Sequence, residues 1–228
     1  EVERGLRRML DDGASETRAL TQHLLGAGGK RIRPLLTLLA ARCYRDDPEP
    51  AIPVAVAAEL IHMATLVHDD VIDEASTRRG QPTVNARWGN TNSVLTGDCL
   101  LAKALVVLVD HATPRIIRIM SDMIYRMCEG EIYQNLTRGR PDVDEDDYFR
   151  RIEKKTALFF AACCQSGALV AGAPEAGASA LREYGCNVGM AFQIVDDLLD
   201  LKGDAGTVGK PVGQDLAAGL VTLPVIYL

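Results

Sequence analysis

Proline and glycine cut this 228-residue chain into long apolar blocks in which almost nothing alternates with a period of two. A half-exposed strand alternates apolar and polar residues, whereas an amphipathic helix repeats its apolar residues every three or four. The punctuation therefore predicts helices throughout. They span Val2–Leu25 (one helix or a pair), Pro34–Tyr44, Pro53–Asp73, Ser93–Val109, Pro114 to Arg138, Glu145–Val170 and Leu181–Leu201, with another opening at Thr222. Several are hydrophobic on most faces, and such helices belong in the core of a bundle. The expected fold is all-α. No linker or low-complexity tract divides the chain, so residues 1–228 are expected to form a single domain. Its last residues, Leu223–Leu228, are apolar, and further C-terminal helices are expected to follow them.

Composition narrows the function. Apolar residues make up 47% of the chain, enough for a sizeable core. A net charge of −6 argues against a nucleic-acid partner. The cysteines (Cys43, Cys99, Cys128, Cys163, Cys164, Cys186) show no CxxC spacing and sit in apolar helical contexts. They read as reduced, buried thiols of a cytoplasmic protein. Thr156–Pro174 carries no charge and approaches spanning length. Its small residues, with Gln165 and Ser166 at the centre, make it a buried central helix, and no transmembrane segment is expected.

The stretch with the most chemistry is His62–Arg79, HMATLVHDDVIDEASTRR. Asp69 and Asp73 are four apart, on one helix face, with Asp70 beside them. Two carboxylates about 6 Å apart repel by roughly 3 kcal/mol at an effective dielectric of 20. A cation between them, or water around a solvated helix end, removes that cost. Oxygen-only ligands of this kind suit Mg²⁺, which is usually held by one or two carboxylates plus substrate phosphates. The same DDxxD spacing recurs at Asp196, Asp197 and Asp200 in QIVDDLLD. Both motifs close an apolar helix, and a helix C-terminus disfavours anions. Two such placements argue for bound cations, and facing each other across a bundle the motifs would hold Mg²⁺ and a diphosphate.

Basic residues accompany the acids. Lys30 and Arg33 follow a Gly-Gly turn, and His62 lies two turns before Asp69 on the same face. Arg78 and Arg79 follow the first motif, Lys155 borders the uncharged stretch, and Lys210 follows the second motif. Arg in particular suits phosphate.

Six motifs in order, GGKRIRP (Gly28–Pro34), HDDVIDEASTRRG (His68–Gly80), Lys155-Thr156, QIVDDLLD, GKPVGQDL (Gly209–Leu216) and Thr222–Pro224, resemble the trans-isoprenyl diphosphate synthase (polyprenyl synthetase) family over essentially the whole chain. The resemblance implies the isoprenoid-synthase helical bundle around a central pocket. It implies a transferase that condenses isopentenyl diphosphate with an allylic diphosphate, head to tail. By motif match, Asp69, Asp73 and Asp196 are the expected Mg²⁺ ligands, and Asp70, Asp197 and Asp200 ligate or support through water. About three ions per site are implied once substrate is bound. Arg78, Lys155 and Lys210 are expected on the allylic diphosphate, and Lys30, Arg33, His62 and Arg79 on isopentenyl diphosphate. Gln193 lines the site, and Thr156 offers its oxygen to the developing cation. A homodimer is the common family assembly, and a long product would be handed to a membrane.

Product length has a physical argument. Ala64 and Thr65 lie about one turn deeper than Asp69, where the growing tail must descend. Both are small, and Cys99–Leu108 opposite lacks aromatics. Nothing there forms a floor, so the expected product is long, roughly C30 or more. The alternatives are a short-chain synthase of about C15–C20, a non-catalytic subunit of a heteromeric synthase, a terpene cyclase or head-to-head synthase, and a structural bundle. A cyclase would lack GGKRIRP and the symmetric second DDxxD. The stretch before Thr222 departs from the family's GKxTLP, reading Gly219-Leu220-Val221, which removes one possible phosphate contact.

Overall fold

The structure, a computed structural model, describes residues 1–140, 142–202 and 213–228. It is almost entirely helical, as expected, and divides into two compact units. The first comprises Glu1–Ile117 and Ser166–Ala173; the second comprises Arg118–Gln165 and Pro174–Leu228.

The first unit is built on α4 (Ile52–Ile72), which follows a 3-10 turn at Glu49–Ala51. Pro53 opens α4, where its missing N–H costs nothing. Val54–Ala58, Leu60, Ile61, Met63, Ala64 and Val67 are buried, so more than one face of the helix is covered. Packed on it are α1 (Val2–Asp11), α3 (Ile32–Arg42) and α6 (Asn90–His111). The α4–α6 crossing is tight at Gly97, where a Cβ would stand 2.2 Å from the His68 ring. His68 in turn reaches the Val94 carbonyl at 3.2 Å. This clamp fixes the helix immediately before Asp69.

The N-terminal segment, expected as one helix or a pair, forms two helices, α1 and α2 (Ser15–Gly26). Residues 74–92, which lie between two of the predicted helices, also hold regular structure. This segment contains a hairpin, β1 (Thr77–Arg78) against β2 (Gln81–Pro82), and the short helix α5 (Val84–Trp88). The hairpin turns on Arg79 (φ 52°) and Gly80 (φ 75°). Positive φ at both central positions matches the right-handed twist of the strands. The Thr83 hydroxyl caps α5 by accepting the Ala86 N–H at 3.3 Å.

α7 (Pro114–Thr137) and α9 (Leu158–Val170) each contribute residues to both units. The second unit also holds α8 (Glu145–Ile152), α10 (Glu175–Lys202), α11 (Gln214–Ala217) and α12 (Leu223–Ile226). Asp144 caps α8 through the Asp147 N–H at 2.8 Å. The single helix expected over Glu145–Val170 is interrupted by a π-helical turn at Glu153–Ala157. One extra residue in a helix leaves the apolar pattern nearly intact, which is why periodicity reads straight through it. Such insertions are frequent at functional sites, and this one carries Lys155 and Thr156.

The uncharged stretch is a buried helix: Ala161, Ala162, Cys163, Cys164, Ser166 and Ala168 are all buried. Two other segments, Glu49–Ile72 and Asn90–His111, are long and apolar enough to cross a membrane by length and composition. The first is mostly buried within the protein; the second is buried over 39% of its apolar window. None of the six cysteines is in a disulfide, but the expectation that they are all buried fails. Cys163 and Cys164 are buried and Cys186 is half-buried, while Cys99 and Cys128 on helices and Cys43 just past the end of α3 are exposed.

Candidate active site

In the first unit the acid motif sits where α4 ends. Asp69 is half-buried in its last turn; Asp73 is exposed and terminates the helix, its N–H donating to the Asp69 carbonyl at 2.8 Å. Asp70 points the other way, 2% exposed. Its Oδ1 accepts from Arg78 Nε at 2.7 Å, and its backbone carbonyl accepts from the Asn85 amide at 3.1 Å. Burial pushes the Asp70 carboxyl above the usual range, and Arg78 opposes the shift. One residue expected to support metal and one expected to hold diphosphate therefore hold each other. This pair, with Asn85, ties the hairpin to the end of α4.

The basic residues gather around His62. Burial holds its imidazole well below the ordinary histidine value, and the charges of Arg33, Arg79, Arg78 and Arg31 push the same way. His62 Nδ1 is buried with no hydrogen-bond partner among the described residues. Arg33 is half-buried in the first turn of α3. Arg79 donates to the Gly28 carbonyl, and its Nη1 would lie 3.0 Å from a Cβ placed on Gly29. Lys30 is exposed beside them.

Sequence reasoning passed over two members of this cluster. Arg31 occupies a left-handed conformation (φ 50°) at the start of α3. It donates from Nε to Glu3 at 2.5 Å and from Nη1 to Glu59 at 2.8 Å. Glu59 is 2% exposed, one turn before His62. A lone acid in an otherwise apolar run from Ile52 to Leu60 was the signal available. It anchors the basic turn from below, since an unpaired charge at that depth would be costly.

In the second unit the acid motif lies near the end of α10. Asp196 is half-buried; Asp197 and Asp200 are buried. Asp197 accepts from Gln193 Nε2 at 2.8 Å and from the Tyr148 hydroxyl at 2.8 Å. Gln193 Oε1 in turn accepts from the Thr156 hydroxyl at 2.7 Å. Burial raises the Asp197 carboxyl, against the pull of Gln193 and Tyr148. Burial and the bond to Asp197 keep the Tyr148 phenol protonated far above its usual value. Tyr148, which no motif marks, is thus part of the site. Lys155 pairs with Glu131 at 3.2 Å. Lys210 lies outside the described residues. Ala64 is buried and Thr65 half-buried, its hydroxyl donating to the His62 carbonyl at 2.8 Å.

Among the described residues no three His, Cys, Asp or Glu side chains form a preformed metal cage. Mg²⁺ needs none, because one or two carboxylates and substrate phosphates suffice. The donors present fit a hard cation: they are carboxylates only. Asp200 Oδ2 accepts from the Asp215 N–H at 3.1 Å, while Oδ1 is buried with no hydrogen-bond partner among the described residues. An orphaned, buried carboxylate oxygen is what a cation would satisfy.

A mainly helical fold carrying two aspartate motifs, one of them with a partly buried arginine–histidine cluster, defines a class of diphosphate-handling proteins. Comparison with known proteins gives the family. The polyprenyl synthetase family matches residues 14–228. The heptaprenyl diphosphate synthase component 2 of Geobacillus stearothermophilus is 49% identical over 226 residues, 99% of this chain and 71% of that protein. A heptaprenyl diphosphate synthase structure from Staphylococcus aureus superposes with TM-score 0.94 at 38% identity, covering 99% of this chain and 72% of that one. A polyprenyl synthase structure from Caulobacter crescentus, complexed with calcium and isoprenyl diphosphate, gives 0.92 at 39% identity, covering 99% and 70%. The chain belongs to the polyprenyl synthetase family.

Proposed function

We propose that this chain is a prenyltransferase that extends an allylic diphosphate with isopentenyl diphosphate, head to tail, in a Mg²⁺-dependent reaction giving a long all-trans product. The observation that carries this reading is the convergence of four arginines on half-buried His62, on the helix that ends in Asp69 and Asp73. Arg31 is already paired with Glu3 and Glu59, and Arg78 with Asp70; an arginine-rich turn of this kind suits an oxyanion such as a diphosphate. Being neutral, His62 acts as a hydrogen-bond donor while Lys30, Arg33 and Arg79 supply the charge. Arg78 and Lys155 serve the allylic diphosphate, with Lys210. Asp69, Asp73 and Asp196 would hold Mg²⁺, which neutralises the leaving diphosphate when bound. Asp70 acts through Arg78. The Thr156 hydroxyl has its proton committed to Gln193, so its oxygen lone pairs are what it can present to a carbocation.

The long product rests on Ala64 and Thr65, which offer no floor to a growing tail. Ala64→Phe should shorten the product; the chromatographic profile of dephosphorylated products reads it directly, and an unchanged profile refutes the pocket argument. Activity is tested by incorporation of labelled isopentenyl diphosphate onto farnesyl diphosphate. Asp73→Ala and Asp196→Ala should each lower it by at least a hundredfold, about 2.7 kcal/mol of transition-state stabilisation. Variants as active as the wild type would overturn the assignment.

A second reading concerns assembly. The similarity to a protein named component 2 favours a catalytic subunit that works with a different partner chain, in place of a homodimer. The intact aspartate motifs speak against a non-catalytic subunit. Light scattering and turnover of the purified chain separate the two: an active dimer supports self-assembly, and an inactive chain restored by a second component supports the heteromer.

A further inference from the structure

We propose that Tyr148 is a positioning residue for the second acid motif: its hydroxyl anchors Asp197 and so sets the roll of α10 that presents Asp196 and Asp200. This rests on the metal–diphosphate reading above and adds to it a residue that no motif contains.

One line of residues runs along α10. Gly185, Gly189, Gln193 and Asp197 are four apart and share a face. At its near end the line is bare backbone. A Cβ on Gly185 would stand 2.6 Å from the Phe160 carbonyl oxygen, and one on Gly189 would stand 2.5 Å from the Ala157 Cα. The two glycines let α10 lie directly against α9 and the π-helical turn. Two turns further along, the same face becomes polar. Gln193 takes the Thr156 hydroxyl of the π-helical turn, and Asp197 takes the Tyr148 hydroxyl of α8.

Of the two donors to Asp197, Gln193 belongs to α10 itself and turns with it. Tyr148 belongs to a different helix, so its bond ties Asp197 to α8, as the Asp215 N–H ties Asp200 to α11. Tyr148 is itself immobile. It is fully buried, its ring meets Phe149 edge-on at 5.5 Å, and the Arg151 guanidinium lies 5.5 Å from the ring centre. Arg151 is held by the Val221 carbonyl at 2.7 Å. A helix residue is displaced by about 100° from its neighbour, so a carboxylate locked at Asp197 leaves Asp196 on a defined adjacent face. It also leaves Asp200, one turn on, with Oδ2 on the Asp215 N–H.

The test is Tyr148→Phe in the full chain, which removes one oxygen and keeps the ring. Calorimetry with inorganic diphosphate is run with and without Mg²⁺, alongside isopentenyl diphosphate without metal and a thermal melt. Ile152→Val, a buried apolar truncation on the same helix, serves as the stability control. Tyr148→Phe is expected to weaken Mg²⁺-dependent diphosphate binding about tenfold, the scale of one hydrogen bond to a charged group. It should raise the Mg²⁺ concentration for half-maximal turnover, and leave metal-free isopentenyl diphosphate binding within twofold. Ile152→Val should lower the melting temperature without weakening diphosphate binding. Wild-type affinity in Tyr148→Phe, or an equal loss in Ile152→Val, overturns the role of Tyr148 alone. Absence of Mg²⁺-dependent diphosphate binding in the wild type overturns the metal–diphosphate reading and this proposal with it.

Discussion

Replacing Arg78 by Met tests the link between the first acid motif and its hairpin. Arg78 and Asp70 meet at 2.7 Å, with side-chain exposures of 37% and 3%. Two unit charges about 4 Å apart attract by ~4 kcal/mol at an effective dielectric of 20. Water at the Arg78 end screens part of this. The full loss seen on breaking a wholly buried pair, about 3–5 kcal/mol, is therefore not reached, and about 2 kcal/mol is the expected cost. For a chain of this size each kcal/mol moves the melting temperature by about 2–4 °C, so Arg78→Met should lower it by about 4–8 °C. Most of that cost comes from leaving the Asp70 carboxylate buried without its cation. Asp70→Asn in the Arg78→Met background removes the orphaned charge and should recover at least half of the loss. The assay is a double-mutant cycle on melting temperatures and urea midpoints. Strict additivity of the two substitutions, or an Arg78→Met melt equal to the wild type, would refute the account of how the hairpin is held.

Two further outcomes follow from the basic cluster. The folded chain keeps His62 neutral, whereas the unfolded chain binds a proton there below about pH 6.5. Stability is therefore intact above that pH and falls as pH drops below it, by up to about 1.4 kcal/mol per unit; urea unfolding at neutral and mildly acidic pH should show His62→Gln losing less than the wild type. Arg79 sits at φ 52° in the hairpin turn, a conformation that favours glycine by about 1 kcal/mol. Arg79→Gly should thus melt within a few degrees of the wild type, relief of strain offsetting the lost bond to Gly28, while isopentenyl diphosphate binding weakens tenfold or more by calorimetry.

The helices were legible because their evidence is local. Apolar spacing, Pro53 and Pro114 at helix starts, and the two DDxxD repeats are all properties of contiguous residues. What escaped depends on groups far apart in the chain. Tyr148 and Asp197 are 49 residues apart, and Glu59 and Arg31 are 28 apart. The hairpin escaped because its strands are two residues each, too short for alternation to register. Arg78 was assigned to diphosphate from its motif. Its contact with Asp70 depends on the fold-back at Arg79–Gly80, which spacing does not reveal. Asp197 and Asp196 look alike in the sequence; only the fold separates them, burying the first against Gln193 and Tyr148 and leaving the second half-buried.

The most direct test is the purified chain incubated with farnesyl diphosphate and isopentenyl diphosphate, with Mg²⁺ or with chelator, followed by chromatography of the dephosphorylated products. The account predicts Mg²⁺-dependent elongation to roughly C30 or longer, from the open space at Ala64 and Thr65, and no product with chelator. Elongation that persists without divalent metal, or that stops at about C15–C20 in its presence, would contradict it.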